Sequence, residues 1–283
     1  MTVLIVGGIF REILAADTAR RIRMGGSGLT AALVSARLGA KTTLASYVGD
    51  EDAATVFALL DTVVVDRSPV AVLPGASGTF LFPSEEDPMR PWPMYRPAEA
   101  VPEPSPLALR SDVSVVFGIP DFDAIDAGWL GLDGDDALLW DRQGFLSRAR
   151  DWRSAAALAP AQKIYLANLT EAREEFPAAS ATESLALLPP AGFSAAVVKR
   201  GPEGCTVIEA GTLDVPGFPV EDRPTIGSGD AFAGGLAAAL DRGVGLVDAA
   251  RQANAAAATF LETGNALADH YVDRVNELVG SDL

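Results

Sequence analysis

The chain has 283 residues and a formal net charge of -16 at pH 7. This length suits one large α/β domain or two smaller ones, and we expect a single domain over residues 1–283. The negative field argues against partners such as nucleic acid and acidic membranes, because it would repel polyphosphates. One cysteine, Cys205, and one histidine, His270, exclude an intrachain disulfide and a Cys/His zinc site.

The N-terminal apolar run does not resemble a secretory signal. It covers residues 3–10, has no basic segment before it, and is followed at once by Arg11 and Glu12. No stretch of the sequence approaches the roughly 18 uninterrupted apolar residues of a membrane helix. We therefore expect a cytoplasmic protein.

The first part of the chain alternates between predicted strands and predicted helices. Strands are predicted at 3–6, 41–48 and 62–65, and helices at 29–38 and 53–60. Such alternation indicates parallel strands joined by helices, with ligands bound at the carboxyl ends of the strands.

Two regions break this alternation. Residues from about 9 to 24 are too many for a simple connection, and residues from about 67 to 97 mix short apolar strands with proline and glycine. Both regions are predicted to contribute strands to a small sheet that covers the main domain as a lid. The alternation then resumes with strands near 113–117, 137–140, 163–167, 195–199 and 205–209, and the chain ends in helices at 231–240, 246–261 and 271–279.

The most informative segment is TIGSGDAFAGG at residues 225–235. Gly227 and Gly229 let the backbone approach an anion closely, and the amide groups of residues 227–229 can converge on negative charge at the start of a helix. Asp230 could then accept the proton of an attacking hydroxyl while the turn stabilises a transferred phosphoryl group. The alternative is that Asp230 only caps the helix.

Four segments, in this order, resemble the PfkB or ribokinase family of carbohydrate and nucleoside kinases. They are GGSGLTAALVSARLGA at 25–40 with YVGDED at 47–52, NLTE at 168–171, KRGPEGC at 199–205, and TIGSGDAFAGG at 225–235. The resemblance spans nearly the whole chain. It implies a ribokinase-like α/β fold: a mostly parallel central sheet flanked by helices, with a small β lid. It also implies an enzyme that transfers the γ-phosphate of MgATP to a hydroxyl of a sugar, polyol or nucleoside.

The resemblance also implies roles for individual residues around the nucleotide. Asp230 matches the catalytic base, and Gly227, Ser228 and Gly229 match the anion hole. Asn168 and Glu171 match the motif that organises Mg²⁺ and its waters, although the same four residues could form a helix cap. The matches to the ATP-binding region are Lys199, Gly201, Gly204 and Asn254. A β-hairpin turn is the alternative for residues 201–204, and helix packing is the alternative for Asn254.

The acceptor site is predicted from two further segments. Gly25 and Gly26 match the family's diglycine, Ser27 stands where an asparagine is more usual, and Glu12 aligns with an acidic residue that binds acceptor hydroxyls. Near the carboxyl end of a predicted strand, Asp141, Arg142 and Gln143 could contact acceptor or phosphate, or form an ordinary polar loop.

Departures from the family pattern leave some properties open. Pro224 replaces an aspartate that commonly precedes the glycine turn, which weakens the case for activation by a monovalent cation such as potassium. Ser27 and Pro224 also motivate the competing hypothesis of a catalytically weak ligand-binding or regulatory protein on the same fold.

A nicotinamide-dependent oxidoreductase is disfavoured because the first strand is not followed by GxGxxG. An exposed lid sheet could pair with its copy in a homodimer.

Overall fold

A computed structural model describes residues 2–14, 22–82, 92–95, 113–118, 137–141, 162–175, 192–221 and 225–280. The strands are β1 (Thr2–Val6), β2 (Phe10–Leu14), β3 (Ile22–Gly25), β4 (Thr42–Gly49), β5 (Val70–Leu73), β6 (Thr79–Phe82), β7 (Trp92–Tyr95), β8 (Val113–Gly118), β9 (Ala137–Asp141), β10 (Gln162–Asn168), β11 (Ala195–Lys199), β12 (Cys205–Ile208) and β13 (Thr212–Val215). The helices are α1 (Ser27–Arg37), α2 (Asp50–Thr62), α3 (Leu169–Glu175), α4 (Ser228–Asp241), α5 (Leu246–Thr263) and α6 (Tyr271–Val279).

The main sheet has nine strands in the order β13-β12-β11-β10-β9-β8-β1-β4-β5. The seven strands from β11 to β5 are parallel, and β12 and β13 add an antiparallel edge. All five residues of β1 are buried, which explains why residues 3–6 form a continuous apolar run instead of alternating with polar residues. The predicted α/β fold with a mostly parallel central sheet is confirmed.

One sequence prediction in this region is wrong. Residues 62–65 were expected to form a strand, but α2 continues through Thr62 and ends in a turn at Val63 and Val64. Val64 is 86% exposed and has a φ of 59°, which a β-branched residue rarely adopts. The next strand of the sheet is β5, whose Val70 pairs with Ser46 of β4.

Helix α4 is packed closely between two other helices. A Cβ on Gly234 would lie 2.5 Å from the carbonyl oxygen of Ala31 in α1, and a Cβ on Gly235 would lie 2.8 Å from the Cβ of Ala256 in α5. Only glycine permits both approaches without moving a neighbour. The tight packing fixes the direction of α4 and hence the position of its N-terminus.

A second sheet of four strands has the order β3-β2-β6-β7. Its strand β2 is tied to α2, because the Arg11 guanidinium binds both carboxylate oxygens of Asp52 at 2.9 Å. Asp52 also accepts the backbone N–H of Ser77 at 2.9 Å, next to the start of β6. The Asp52 side chain therefore joins two strands of the second sheet to the main domain. Within the described parts of the chain, no helix combines the length and apolar character needed to cross a bilayer.

Candidate active site

Three neighbouring parallel strands end in polar residues at one edge of the main sheet. Asp141 ends β9, Asn168 ends β10 and Lys199 ends β11. The sheet register pairs Asp141 with Leu166, and Asn168 with Lys199. Since carboxyl ends of parallel strands are where α/β sheets bind ligands, this edge is the candidate active site.

A buried ion pair joins the outer two of these strands. The Lys199 Nζ lies 3.1 Å from both carboxylate oxygens of Asp141, whose side chain is fully buried. Burial raises the pKa of Asp141 to about 7, with Lys199 opposing the shift and the charges of Glu171 and Asp230 adding to it. Burial alone would lower the pKa of Lys199, but attraction to Asp141, Glu171 and Asp230 raises it above its usual value. Lys199 is therefore a fixed positive charge among three carboxyl groups.

The glycine turn before α4 lies directly beside Lys199. Gly227 has a left-handed φ of 86°, and a Cβ built on Gly229 would be 3.5 Å from the Lys199 Nζ. The Ser228 hydroxyl donates to the Thr225 carbonyl at 2.7 Å, and the Ser228 amide donates to the same oxygen at 3.1 Å. The Ser228 amide thus already has a partner within the turn.

Asp230 is the third residue of α4 and is partly exposed. Its charge acts on both Asp141 and Lys199, so its carboxyl group belongs to the same electrostatic cluster. The structure therefore brings Asp230 and residues 227–229 together with Lys199 and Asp141. The sequence motifs placed Asp230 in one turn with residues 227–229, but they did not predict the pairing of Lys199 with Asp141.

Asn168 and Glu171 cap helix α3 reciprocally. The Glu171 amide donates to Asn168 Oδ1 at 2.9 Å, and the Asn168 amide donates to Glu171 Oε2 at 2.8 Å. This is the geometry of a capping box, so the alternative that the sequence left open for NLTE is present. The cap also fixes an amide oxygen and a carboxylate at the ligand-binding edge. Among the described residues, no group of three or more His, Cys, Asp or Glu side chains could hold a metal ion.

Residues 201–204 form the turn of the antiparallel β11–β12 hairpin. Gly201–Glu203 is a short 3-10 turn, closed by a bond of 2.7 Å from the Arg200 amide to the Gly204 carbonyl. Gly204 has a φ of 92°, and a Cβ there would lie 2.2 Å from the Val215 carbonyl oxygen. The hairpin alternative is therefore also present, and close backbone packing accounts for Gly204.

Asn254 is buried and fixes the end of β13. Its Nδ2 donates to the carbonyls of Val215 at 3.2 Å and Pro216 at 3.1 Å, and lies 3.6 Å from the Cys205 sulfur. Burial raises the pKa of the Cys205 thiol to about 12, so the thiol is not a nucleophile at neutral pH.

The predicted acceptor residues Glu12, Gly25 and Gly26 lie together where the second sheet meets α1. Glu12 is buried; its Oε1 accepts the Gly26 amide at 3.0 Å and its Oε2 accepts Arg23 Nε at 2.6 Å. A Cβ on Gly25 would lie 2.4 Å from the Glu12 carboxyl, so any larger residue there would displace the Glu12 side chain. The Ser27 hydroxyl is buried and has no hydrogen-bond partner in the described parts of the chain.

Three predicted positions lie outside the described residues: Arg142, Gln143 and Pro224. Conversely, sequence reasoning did not identify Arg23, which connects Glu12 to the glycine turn through a bond of 3.4 Å from Nη2 to the Ile226 carbonyl. The available signal was a basic residue close to the diglycine in a chain with 38 acidic and 22 basic side chains.

Comparison with known proteins shows which family model and which solved structures this chain is similar to. The model of the pfkB family carbohydrate kinase matches residues 144–270. No curated protein sequence matches the chain significantly. Among solved structures, the chain is similar to aminoimidazole riboside kinase from Salmonella enterica, solved with aminoimidazole riboside and an ATP analogue, at 19% identity and a TM-score of 0.76, covering 99% of this chain and 100% of that one.

Two further solved structures extend the comparison to other acceptors. A Burkholderia thailandensis nucleoside kinase in complex with inosine has 19% identity and a TM-score of 0.75, with 99% of this chain and 98% of that chain covered. A fructokinase from Vibrio cholerae O395, with fructose, ADP and calcium ion bound, has 18% identity and a TM-score of 0.76, with 92% and 93% covered. The chain thus has the ribokinase-like fold, and its residues 144–270 are similar to the pfkB family of carbohydrate kinases.

Proposed function

We propose that this protein transfers the γ-phosphoryl group of MgATP to a hydroxyl of a sugar, polyol or nucleoside. The observation that carries the proposal is the position of Asp230. It stands in the first turn of α4, three residues after the left-handed Gly227, and its charge acts on the Asp141–Lys199 pair. A carboxylate beside an anion-binding turn is suited to deprotonate the acceptor, not to bind the phosphate itself.

In the proposed reaction the acceptor oxygen attacks the γ-phosphorus. A bond forms between these two atoms, and the bond from phosphorus to the β–γ bridging oxygen breaks with its electron pair leaving on ADP. The acceptor's hydroxyl proton passes to Asp230. The remaining amide groups at the start of α4 and its positive dipole end stabilise the charge on the transferred group.

Lys199 supports this step as a fixed cation. Its ammonium lies beside the turn, 3.5 Å from the Cβ position of Gly229, and it stays protonated because its pKa is raised. Asp141 holds the ammonium in place from the opposite side at 3.1 Å. Lys199 is therefore placed to attract phosphate oxygens, in agreement with its assignment to the ATP-binding region.

Asn168 at the end of β10 and Glu171 just after it are compatible with a magnesium ion whose remaining ligands are water and phosphate oxygens. Asn168 and Glu171 present oxygen atoms, which Mg²⁺ prefers, but their capping bonds make them better suited to bind the ion through water. When bound, Mg²⁺ would neutralise phosphate charge and orient the γ-phosphate for transfer.

The competing hypothesis is a binding or regulatory protein with little catalysis. Measurement of ADP formation with MgATP over a panel of sugars, polyols and nucleosides separates the two, since only a kinase gives acceptor-dependent ADP. The panel should include fructose and inosine, which are bound in the similar solved structures. No acceptor-dependent turnover on the full panel would favour the binding protein.

The role of Asp230 is tested with the best acceptor. Asp230→Asn keeps the size of the side chain but removes the base, and it should lower kcat by at least about 100-fold. MgATP affinity, measured by calorimetry, should be retained or improved because a negative charge is lost. Full activity in a folded Asp230→Asn protein would contradict the assigned base.

A further inference from the structure

The guanidinium of Arg23 lies between the second sheet and the glycine turn. Arg23 belongs to β3, the outer strand of that sheet, whereas the turn belongs to the main domain 203 residues later in the chain. Its Nη2 donates to the Ile226 carbonyl at 3.4 Å and lies 3.7 Å from the Cβ position of Gly227. A positive charge carried by the second sheet thus reaches the turn that binds the phosphoryl group in the proposed function.

The guanidinium is held in this direction by Glu12. Arg23 Nε lies 2.6 Å from Glu12 Oε2, and the Glu12 side chain is only 7% exposed. The other carboxylate oxygen accepts the Gly26 amide at 3.0 Å, so Glu12 is itself fixed to the start of α1. A guanidinium is planar, and a bond at Nε therefore also sets the direction of both Nη groups.

The bond to Ile226 is long, and it leaves further donor capacity on the same group. At 3.4 Å it is longer than the usual N–H···O distance of about 2.7–3.2 Å between donor and acceptor atoms. Arginine has about five N–H donors, and Glu12 and Ile226 account for one each in the described structure. The Arg23 side chain is 36% exposed, so a ligand at the turn can reach it.

The charges around the glycine turn favour a contact between the Arg23 guanidinium and a bound phosphoryl group. Lys199 is already engaged by Asp141 at 3.1 Å, while Glu171 and Asp230 add two further carboxyl groups to the cluster. A transferred phosphoryl group brings more negative charge to the same place. Hydrogen bonds from an arginine stabilise such charge strongly because both partners are ionised.

We propose that Arg23 is a catalytic residue of the proposed phosphotransfer, contributed by the second sheet, whose Nη groups bind the transferred phosphoryl group at the Gly227 turn. The inference rests on the proposed function. Arg23 forms no covalent bond and gives up no proton; it stabilises charge on the phosphoryl oxygens while the bonds to the acceptor form and to ADP break. Because β3 carries it, catalysis also becomes dependent on the position of the second sheet.

The test compares Arg23→Gln and Arg23→Lys with Arg11→Gln. Arg11 is a matched control, since it also carries an ion pair from the second sheet but binds Asp52 on α2, away from the turn. With the best acceptor, Arg23→Gln should lower kcat about 100-fold, as loss of one preorganised donor does, with a much smaller change in KM for the acceptor. Arg23→Lys should recover part of kcat, and Arg11→Gln should lower the melting temperature while keeping most of kcat.

A binding measurement separates this role from a structural one and does not require turnover. MgADP with aluminium fluoride presents a mimic of the transferred phosphoryl group, and MgADP alone does not. Arg23→Gln should weaken binding of the fluoride complex about 100-fold while leaving the affinity for MgADP unchanged. Calorimetric titration of each variant measures both affinities.

Each outcome decides the proposal. Equal affinities of wild type and Arg23→Gln for the fluoride complex would overturn it, as would equal losses of kcat in Arg23→Gln and Arg11→Gln. If wild type phosphorylates no acceptor on the panel, the proposed function fails, and a selective loss of the fluoride complex in Arg23→Gln still supports the phosphoryl contact. Wild-type protein that does not bind the fluoride complex overturns both.

Discussion

Replacing Asp141 by asparagine should remove a specific part of the pH dependence of stability. The carboxyl group is fully buried, and its pKa is raised from the ordinary value of 3.8 to about 7, chiefly by burial. An asparagine has nearly the same shape, and its side-chain oxygen can still accept a bond from Lys199. The substitution therefore removes the titration with little loss of packing.

The direction of the pH dependence of stability follows from the pH at which the Asp141 carboxyl loses its proton in the folded and in the unfolded state. In the unfolded chain the Asp141 carboxyl is ionised above about pH 4, whereas in the folded protein it keeps its proton until about pH 7. Between these values the folded state binds more protons, so stability from this group falls as pH rises. From pH 5 to pH 8 the loss should be about 3 kcal/mol, and Asp141→Asn should lack it.

Urea unfolding at pH 5 and pH 8 measures this difference. The free energy of unfolding of wild type, minus that of Asp141→Asn, should be about 3 kcal/mol larger at pH 5 than at pH 8, because this group stabilises the folded state at the lower pH. Asp269→Asn, at an exposed position, is the control for loss of one carboxylate and should follow wild type at both pH values. Parallel pH profiles for wild type and Asp141→Asn would refute the raised pKa and the reasoning built on burial.

Two further substitutions test the geometry of the turn and of the hairpin. Gly227→Ala should destabilise the fold more than Gly243→Ala in urea unfolding: both glycines have positive φ, which costs about 1–2 kcal/mol for alanine, but only the first would place a Cβ 2.9 Å from an aromatic ring. Equal losses would contradict that contact. Asn254→Ala should cost about 1–3 kcal/mol, because the carbonyls of Val215 and Pro216 lose their buried donor. An unchanged KM for ATP in that variant would count against its assignment to the nucleotide site.

The fold could be predicted from the sequence because its strands are short apolar runs bounded by turn residues. Strands β9, β10 and β11 were expected within about one or two residues of their bounds, and each is buried over most of its length. The strand expected at 62–65 failed because its β-branched residues follow α2 directly, and local propensity could not show where the helix ends. β13 was not expected, since three of its four residues are exposed and give little apolar signal.

The contacts between distant parts of the site could not be read from the sequence. Asp141 was assigned to the acceptor and Lys199 to the nucleotide, yet they form one ion pair across 58 residues of chain. Their proximity depends on the order β9-β10-β11, which places the two strand ends on either side of Asn168. Arg23 was missed for the same reason, because Ile226 is 203 residues away in the chain and lies beside it only in the folded structure.

Under the proposed function, two ion pairs would allow a chain with a net charge of -16 to bind a polyphosphate. Lys199 and Arg23 are each held by a buried carboxylate, at 3.1 Å and 2.6 Å, so both cations are fixed beside the Gly227 turn before any ligand arrives. At Lys199, the partner carboxylate competes less with a phosphate for the ammonium, because burial raises the pKa of Asp141 and favours its neutral form. Preorganised cations of this kind act over a few ångströms, where salt screens them little, whereas the field of the whole chain is screened within about 8 Å at physiological ionic strength. Under the proposed function, recognition of phosphate at this site would therefore be set by the nearest charges and amides, not by the net charge of the protein as a whole.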